Sequence, residues 1–102
     1  MSVSKQYMKK KEVVKVTFIL PAEAAPGASA VHLVGEMNGW DKTATPMKKG
    51  RDGAFKVMLE LAPGREYQYR YLIDGATWEN DWNADRYVPA PVGGSENSVL
   101  AL

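Results

Sequence analysis

The residue types that most often carry enzymatic chemistry are nearly missing from this chain. It has no cysteine and one histidine, His32, so thiol nucleophiles and Cys/His or multi-histidine metal sites have nothing to draw on. A serine triad would need His32 too, and no Gly-x-Ser-x-Gly elbow is present. His32 has the parity opposite to Val31 and Leu33, which predicts an exposed structural side chain rather than a general base. Asp81, Asn83 and Asp85 have the spacing that opens a calcium loop, but the sixth position is Arg86 instead of Gly and the twelfth Val92 instead of Glu. Glu79, Asp81 and Asp85 as a glycosidase pair would require an enclosed cleft to raise one pKa; here they are expected to be solvated loop carboxylates capping turns. Gly93-Gly94 lacks the Lys and Ser/Thr of a phosphate loop. The chain reads as non-catalytic, with no metal and no cofactor.

The chemistry that remains is in the aromatic residues, three Trp, five Tyr and two Phe, a generous supply for a small core. Trp40 follows Asn38-Gly39, and Trp78 follows Asp74-Gly75-Ala76-Thr77, so two large indoles lie at or beside turns. An exposed indole leaves apolar area in water, whereas a sugar ring offers a face of C–H groups that suits the negative face of the π system. Covering ~50 Å² per indole is worth about 1 kcal/mol. Two such stacks and a few hydrogen bonds of ~1 kcal/mol, set against the cost of association, give a site of roughly micromolar to millimolar affinity. Weak single sites suit a polymeric ligand. The same indoles could instead cap the open end of a β-sandwich core, and the pattern alone leaves both readings open.

The elements that must position these residues are strands. Val14, Val16, Phe18 and Leu20 fall on alternate positions with Lys15 and Thr17 between them and stop at Pro21; Val31 to Gly35 is a second strand, followed by a loop through Asp41. Lys49 to Gly53 is a polar turn. Phe55, Val57, Leu59 and Leu61 form a third strand ending at Pro63-Gly64, and Tyr67, Tyr69, Tyr71 and Ile73 a fourth, closed by the Asp74-Gly75 hairpin turn with Thr77 to Glu79 returning beside it. A loop with Pro89, Pro91, Gly93 and Gly94 precedes the last strand, Ser98 to Leu102. Short strands at this spacing, without a helix-length period or a repeat, predict an all-β antiparallel sandwich. Phe18, Phe55, Tyr67, Tyr69 and Tyr71 have core parity.

The bulk properties set the limits. One hundred and two residues, 45% hydrophobic and 25% charged, make one domain. The net charge of +1 argues against nucleic acid as the main ligand. Residues 1–15 hold five lysines, Lys10 and Lys11 among them, against Glu12, for a local +4, while the rest of the chain carries −3. This predicts a basic flexible tail over residues 1–11 and a folded domain over 12–102. The stretch from Met8 to Ala30 fails as a secretory signal because Lys15 and Thr17 interrupt its apolar run, and nothing approaches the ~18 apolar residues of a membrane helix. Cytoplasmic residence without membrane association is expected.

Taken in order, Val31-His32-Leu33-Val34-Gly35-Glu36-Met37-Asn38-Gly39-Trp40, Asp52-Gly53-Ala54-Phe55, Pro63-Gly64, Tyr67 through Gly75 and Asn97-Ser98-Val99 resemble carbohydrate-binding module family 48. This family includes the glycogen-binding domain of AMP-activated protein kinase β subunits and the N-terminal domains of isoamylases and branching enzymes. The resemblance spans roughly residues 12–102. It implies an immunoglobulin-like, early-set β-sandwich that binds α-1,4-linked glucans such as glycogen, starch or maltodextrins. Carried across, Trp40 and Trp78 are the two stacking platforms, Arg70 stands where the kinase modules usually have Lys, and Asn97 is the amide that bonds sugar hydroxyls. The sequence departs from the kinase modules after Trp78, where Glu79-Asn80-Asp81-Trp82 replaces Asp-Pro; Trp82 is expected to pack under its loop rather than add a third surface. Val92 and Gly93 are the nearest candidates for the apolar residue that reaches into the glucan. The alternative the family allows is a regulatory domain docking on a glycogen-metabolism enzyme or kinase without binding sugar itself.

Overall fold

The computed structural model describes residues 3–9, 12–90 and 95–102. They form the strands β1 (Val3–Met8), β2 (Val13–Leu20), β3 (Val31–Gly35), β4 (Lys48–Lys49), β5 (Phe55–Leu61), β6 (Glu66–Ile73), β7 (Thr77–Glu79), β8 (Arg86–Pro89) and β9 (Glu96–Ala101), with short 3-10 turns at Ala22–Ala24 and Glu36–Asn38. The strands pair into two antiparallel sheets, β1-β2-β5-β4 and β3-β6-β9-β8, with β7 also on β6. This is the immunoglobulin-like sandwich expected from the sequence. No helix among the described residues is long and apolar enough to cross a membrane.

Alternation decides which side chains meet between the sheets. Val14, Val16, Phe18 and Leu20 of β2 are fully buried, facing Tyr67, Tyr69 and Tyr71 of β6 and Leu100 of β9 across the core. The Phe18 and Tyr69 rings meet edge to face with centroids 5.3 Å apart, and Tyr69 meets Tyr71 the same way at 5.9 Å. In that geometry the positive edge of one ring lies on the negative face of the next. Removing Phe18 from this stack costs about 3–5 kcal/mol by the usual penalty for a large buried cavity.

Two corners set the register of β6. Before it, the Tyr67 hydroxyl donates to the Ala62 carbonyl and accepts from the Ala62 amide, which fixes the Pro63-Gly64 turn. After it, Asp74 and Gly75 have φ of 51° and 69°, the left-handed pair of a type I′ hairpin turn. The Asp74 carboxylate accepts from the Ser29 and Ala30 amides at 2.8 and 2.9 Å, tying the hairpin to the start of β3.

The structure differs from the sequence expectation at four places. Residues 1–11 were expected to form a flexible tail, but Val3–Met8 pair with β2 along their whole length, from Val3 opposite Phe18 to Met8 opposite Val13. Ser4, Gln6 and Lys5 hide this strand from a search for apolar alternation, while the free edge of β2 supplies the hydrogen-bonding partners. Lys10 and Lys11 lie outside the described residues. Strand β8 occupies part of the expected long loop, and Lys48–Lys49 make a short pairing with β5 beside the expected polar turn. His32, expected to be exposed, is half-buried, because Pro46 pairs across the outer edge of β3 and covers it.

Candidate functional site

Residues directly opposite one another in a sheet share a face, and the pairs Val34–Arg70, Leu72–Trp78, Gln68–Val99 and Val88–Asn97 therefore all point away from the core. On this outer face of the second sheet lies a cavity of about 440 Å³ lined by Glu36, Trp40, Gln68, Arg70, Trp78, Ala90 and Asn97. Trp40, Arg70, Trp78 and Asn97, the four residues singled out in the sequence, all line it. The parity of Tyr67-Gln68-Tyr69-Arg70-Tyr71 explains the arrangement: three tyrosines go in, and Gln68 and Arg70 come out.

Trp40 is delivered by an unusual stretch of backbone. Gly39 and Trp40 have successive φ of 66° and 61°, and a left-handed conformation is strained for a residue with a large side chain. The turn is held by Asn38, whose side chain accepts from the Gly35 amide at 3.1 Å and donates to the Leu33 carbonyl at 2.8 Å and the Thr45 hydroxyl at 3.0 Å. The Trp40 amide closes the loop on the Gly35 carbonyl at 2.8 Å. Trp78 sits on β7 just past the Asp74-Gly75 hairpin turn. Both indoles stay open to solvent, at 38% and 40% exposure. Each leaves apolar area uncovered at the mouth of a cavity whose floor is polar.

That floor is one connected set of hydrogen bonds. Arg70 Nε donates to Asn97 Oδ1 at 2.6 Å, and Asn97 Nδ2 donates to Gln68 Oε1 at 3.0 Å. Asn97 is only 3% exposed, so in the free protein its amide orients Arg70 more than it meets solvent. Glu36, at the other side, accepts from the Gln68 amide at 2.6 Å. Gln68, Glu36 and Ala90 were not singled out from the sequence; shared parity with Arg70 is the signal that could have found Gln68. Lys42 was also missed: its ammonium lies 5.9 Å from the centroid of the Trp78 ring, and the Arg70 guanidinium lies 6.0 Å from the same ring.

The remaining candidates fall elsewhere. Trp82 does not line the cavity and is not packed under its loop; it is 51% exposed. The loop is held instead by Asp81, which was expected to be solvated but is buried. Its carboxylate accepts from the Tyr69 hydroxyl at 2.7 Å and the Asn83 amide at 2.9 Å, its amide donates to Ser98 Oγ, and its carbonyl accepts from the Tyr87 hydroxyl. Burial pushes the Tyr69 hydroxyl far above its usual range, with the neighbouring Tyr71 hydroxyl and the Asp81 carboxylate adding to the effect, so Tyr69 remains a proton donor to Asp81. Asp85 accepts from the Ala101 amide and pairs with Lys5 at 2.9 Å. Among the described residues no group of acidic or histidine side chains is placed to hold a metal ion. Val92 and Gly93 lie outside the described residues.

The fold is thus a β-sandwich that carries two solvent-facing indoles beside a cavity on one sheet face. The chain belongs to the carbohydrate-binding module 48 family (isoamylase N-terminal domain), whose profile matches residues 9–88, and it is accordingly a carbohydrate-binding module. It is 37% identical over 76 residues to "Protein PTST homolog 2, chloroplastic" of Arabidopsis thaliana, an alignment that covers 74% of this chain and 13% of that protein. It is also 41% identical over 59 residues to the 1,4-alpha-glucan branching enzyme GlgB of Aquifex aeolicus, covering 56% of this chain and 9% of the enzyme. The Butyrivibrio fibrisolvens enzyme of the same name is 33% identical over 63 residues, covering 62% and 10%. The chain thus spans only about a tenth of the length of these relatives.

Proposed function

We propose that the module binds α-1,4-linked glucans, namely glycogen, starch or maltodextrins, by stacking glucose rings on Trp40 and Trp78 while Arg70 and Asn97, with Gln68 beside them, hydrogen-bond the hydroxyls. The observation that carries this reading is that two half-exposed indoles flank a single cavity whose floor is a continuous row of donors and acceptors. A sugar needs this combination, because its ring faces are apolar and its rim is polar. The branching enzymes among the relatives act, by their names, on 1,4-alpha-glucan, which supports the same ligand class. We assign the chain itself no catalytic step: among the described residues Glu36 is the one carboxylate lining the cavity, without a second beside it to share acid–base work. Its role is to hold a polymer, with a glycogen-metabolism enzyme or kinase as the partner brought to it.

Titration of maltoheptaose followed by tryptophan fluorescence tests this. Trp82 lies away from the cavity, so a Trp82→Phe background isolates the signal of the other two indoles. The expected Kd is roughly micromolar to millimolar, and Trp40→Ala or Trp78→Ala weakens binding about five- to tenfold each, the worth of one lost stack. No response of the parent protein up to about 10 mM oligosaccharide sinks the reading in favour of a protein-docking role for the same face.

A further inference from the structure

Two cations converge on one of the two indoles, and neutral sugar binding has no use for a second one. Lys42 Nζ and Arg70 Cζ lie 5.9 and 6.0 Å from the Trp78 ring centroid. Among the described residues the ion pairs are Lys5–Asp85 and Arg86–Glu66, so neither Lys42 nor Arg70 is neutralised there by a carboxylate. Arg70 uses Nε on Asn97, while its terminal nitrogens have no protein acceptor among the described residues.

The carboxylates around the cavity keep their charge but are bonded to groups other than these two cations. Glu36 accepts from the Gln68 amide, Asp41 from the amide and hydroxyl of Thr43, and Glu79 from the Asn80 amide. The two Thr43 bonds hold the Asp41 carboxyl below its ordinary value, so it stays charged without drawing on Lys42. Glu96 takes the strand parity opposite to Asn97. The Trp78 end of the cavity thus holds two cations that form no ion pair among the described residues, beside an exposed aromatic face.

We propose that this end of the site selects glucans carrying phosphate monoesters: the sugar ring stacks on Trp78, and the ester dianion takes the Lys42 ammonium and the terminal nitrogens of Arg70. A planar guanidinium is suited to phosphate oxygens, and Lys42 adds a mobile point charge. The inference rests on the glucan-binding reading above and deepens it by naming the form of glucan preferred.

The test compares three probes on the full chain at low and high salt: neutral maltodextrins, maltodextrins of matched length bearing phosphate monoesters, and inorganic phosphate alone. The phosphorylated glucan is expected to bind about three- to tenfold tighter than the neutral one at low ionic strength, the range of one or two partly exposed charge-assisted contacts. This ratio is expected to shrink with added salt and to fall toward unity in Lys42→Ala, with recovery in Lys42→Arg. Inorganic phosphate alone is expected to compete poorly, since it has no ring to stack. Equal affinity for the two glucans at low salt overturns the proposal while leaving neutral glucan binding intact. A ratio that survives Lys42→Ala overturns the role of Lys42. Tight binding of inorganic phosphate without glucan overturns the ester reading in favour of a plain anion site, and no binding of either glucan defeats this inference together with the reading beneath it.

Discussion

Tyr69 and Tyr71 stand two residues apart on β6 with both rings buried, yet their hydroxyls are in opposite situations. Tyr69 donates to the buried Asp81 carboxylate at 2.7 Å, while the Tyr71 hydroxyl is buried without a partner among the described residues. An unmade bond costs the desolvation of the polar group, whereas removing the group costs nothing of the kind. Tyr69→Phe is therefore expected to lower unfolding free energy by about 1–3 kcal/mol, and Tyr71→Phe to be neutral or mildly stabilising, both read from urea melts. A larger loss for Tyr71→Phe would mean that its hydroxyl has a bound partner. At the cavity, Arg70 and Asn97 share one hydrogen bond, so Arg70→Ala and Asn97→Ala should each weaken maltoheptaose binding and the double variant should cost less than their sum. The sequence made Trp40 and Trp78 legible as candidates by their turn positions, Arg70 by strand parity, and Asn97 by family resemblance alone. It did not reveal that Asp81 rather than Trp82 anchors the 80–85 loop, since a buried carboxylate is recognisable only once its partners are in place, the Tyr69 hydroxyl of β6 donating to it and Ser98 of β9 accepting from its amide.

Among the elements, β1 is the clearest case of structure that periodicity misses. It is interrupted by polar residues, and what holds it is its register with β2, the packing of Val3 against the core, and Lys5, which reaches the second sheet and donates to Asp85 and to the Ala101 carbonyl, both at 2.9 Å. An inward charge on an edge strand also discourages pairing with other chains. Deleting residues 1–9 is expected to lower the Tm while leaving glucan affinity within about twofold, because the cavity is on the opposite sheet; a proportionate loss of binding would tie β1 to the site. The Lys5 link also carries a pH signature. Burial would raise the Asp85 carboxyl, but the Ala101 amide and the Lys5 ammonium outweigh it and hold the group below its ordinary value of 3.8. A carboxylate depressed by folding contributes stability above its unfolded pKa and loses it as the pH falls through the folded value. Asp85→Asn should therefore flatten the stability loss below about pH 4, as measured by melts across that range. The end of β3 makes a second demand: a Cβ on Gly35 would lie 2.5 Å from the Gln68 carbonyl and 2.7 Å from Tyr69 Cβ. Gly35→Ala should thus disturb the Trp40 loop, which hangs on the Gly35 carbonyl, and weaken glucan binding and stability together. The strands with strict apolar alternation were legible from sequence; β1 and β8 were not, because edge strands are specified by their neighbours more than by their own residues.

At the scale of the whole molecule, the proposed glucan site is a single cavity on one sheet face, and the affinity expected for a short glucan is bounded accordingly. Two copies joined by a flexible linker should bind glycogen far more tightly than one copy, by about a hundredfold where both sites engage the same particle, while showing unchanged affinity per site for maltoheptaose. Co-sedimentation against titration separates the two effects; equal glycogen retention by single and tandem forms would show that the polymer does not present adjacent sites. The charge balance was legible at this scale, and it suits a ligand held mainly by stacking and hydrogen bonds, with the Lys42–Arg70 pair as a local exception that a net count averages away.

The path of the last residue adds a practical consequence. Leu102 donates its amide to the Arg65 carbonyl and accepts from the Gly64 amide, which pins it at the start of β6, whereas Trp78 lies opposite Leu72 near that strand's far end. Arg65 to Leu72 is roughly 20 Å of extended chain. A reporter or surface anchor joined after Leu102 would leave from the end of the sheet remote from Trp78. An immobilised module would then turn its Trp78 end to the solution, whereas a reporter placed there would stand closer to the Trp40 loop, whose Gly35 lies opposite Tyr69.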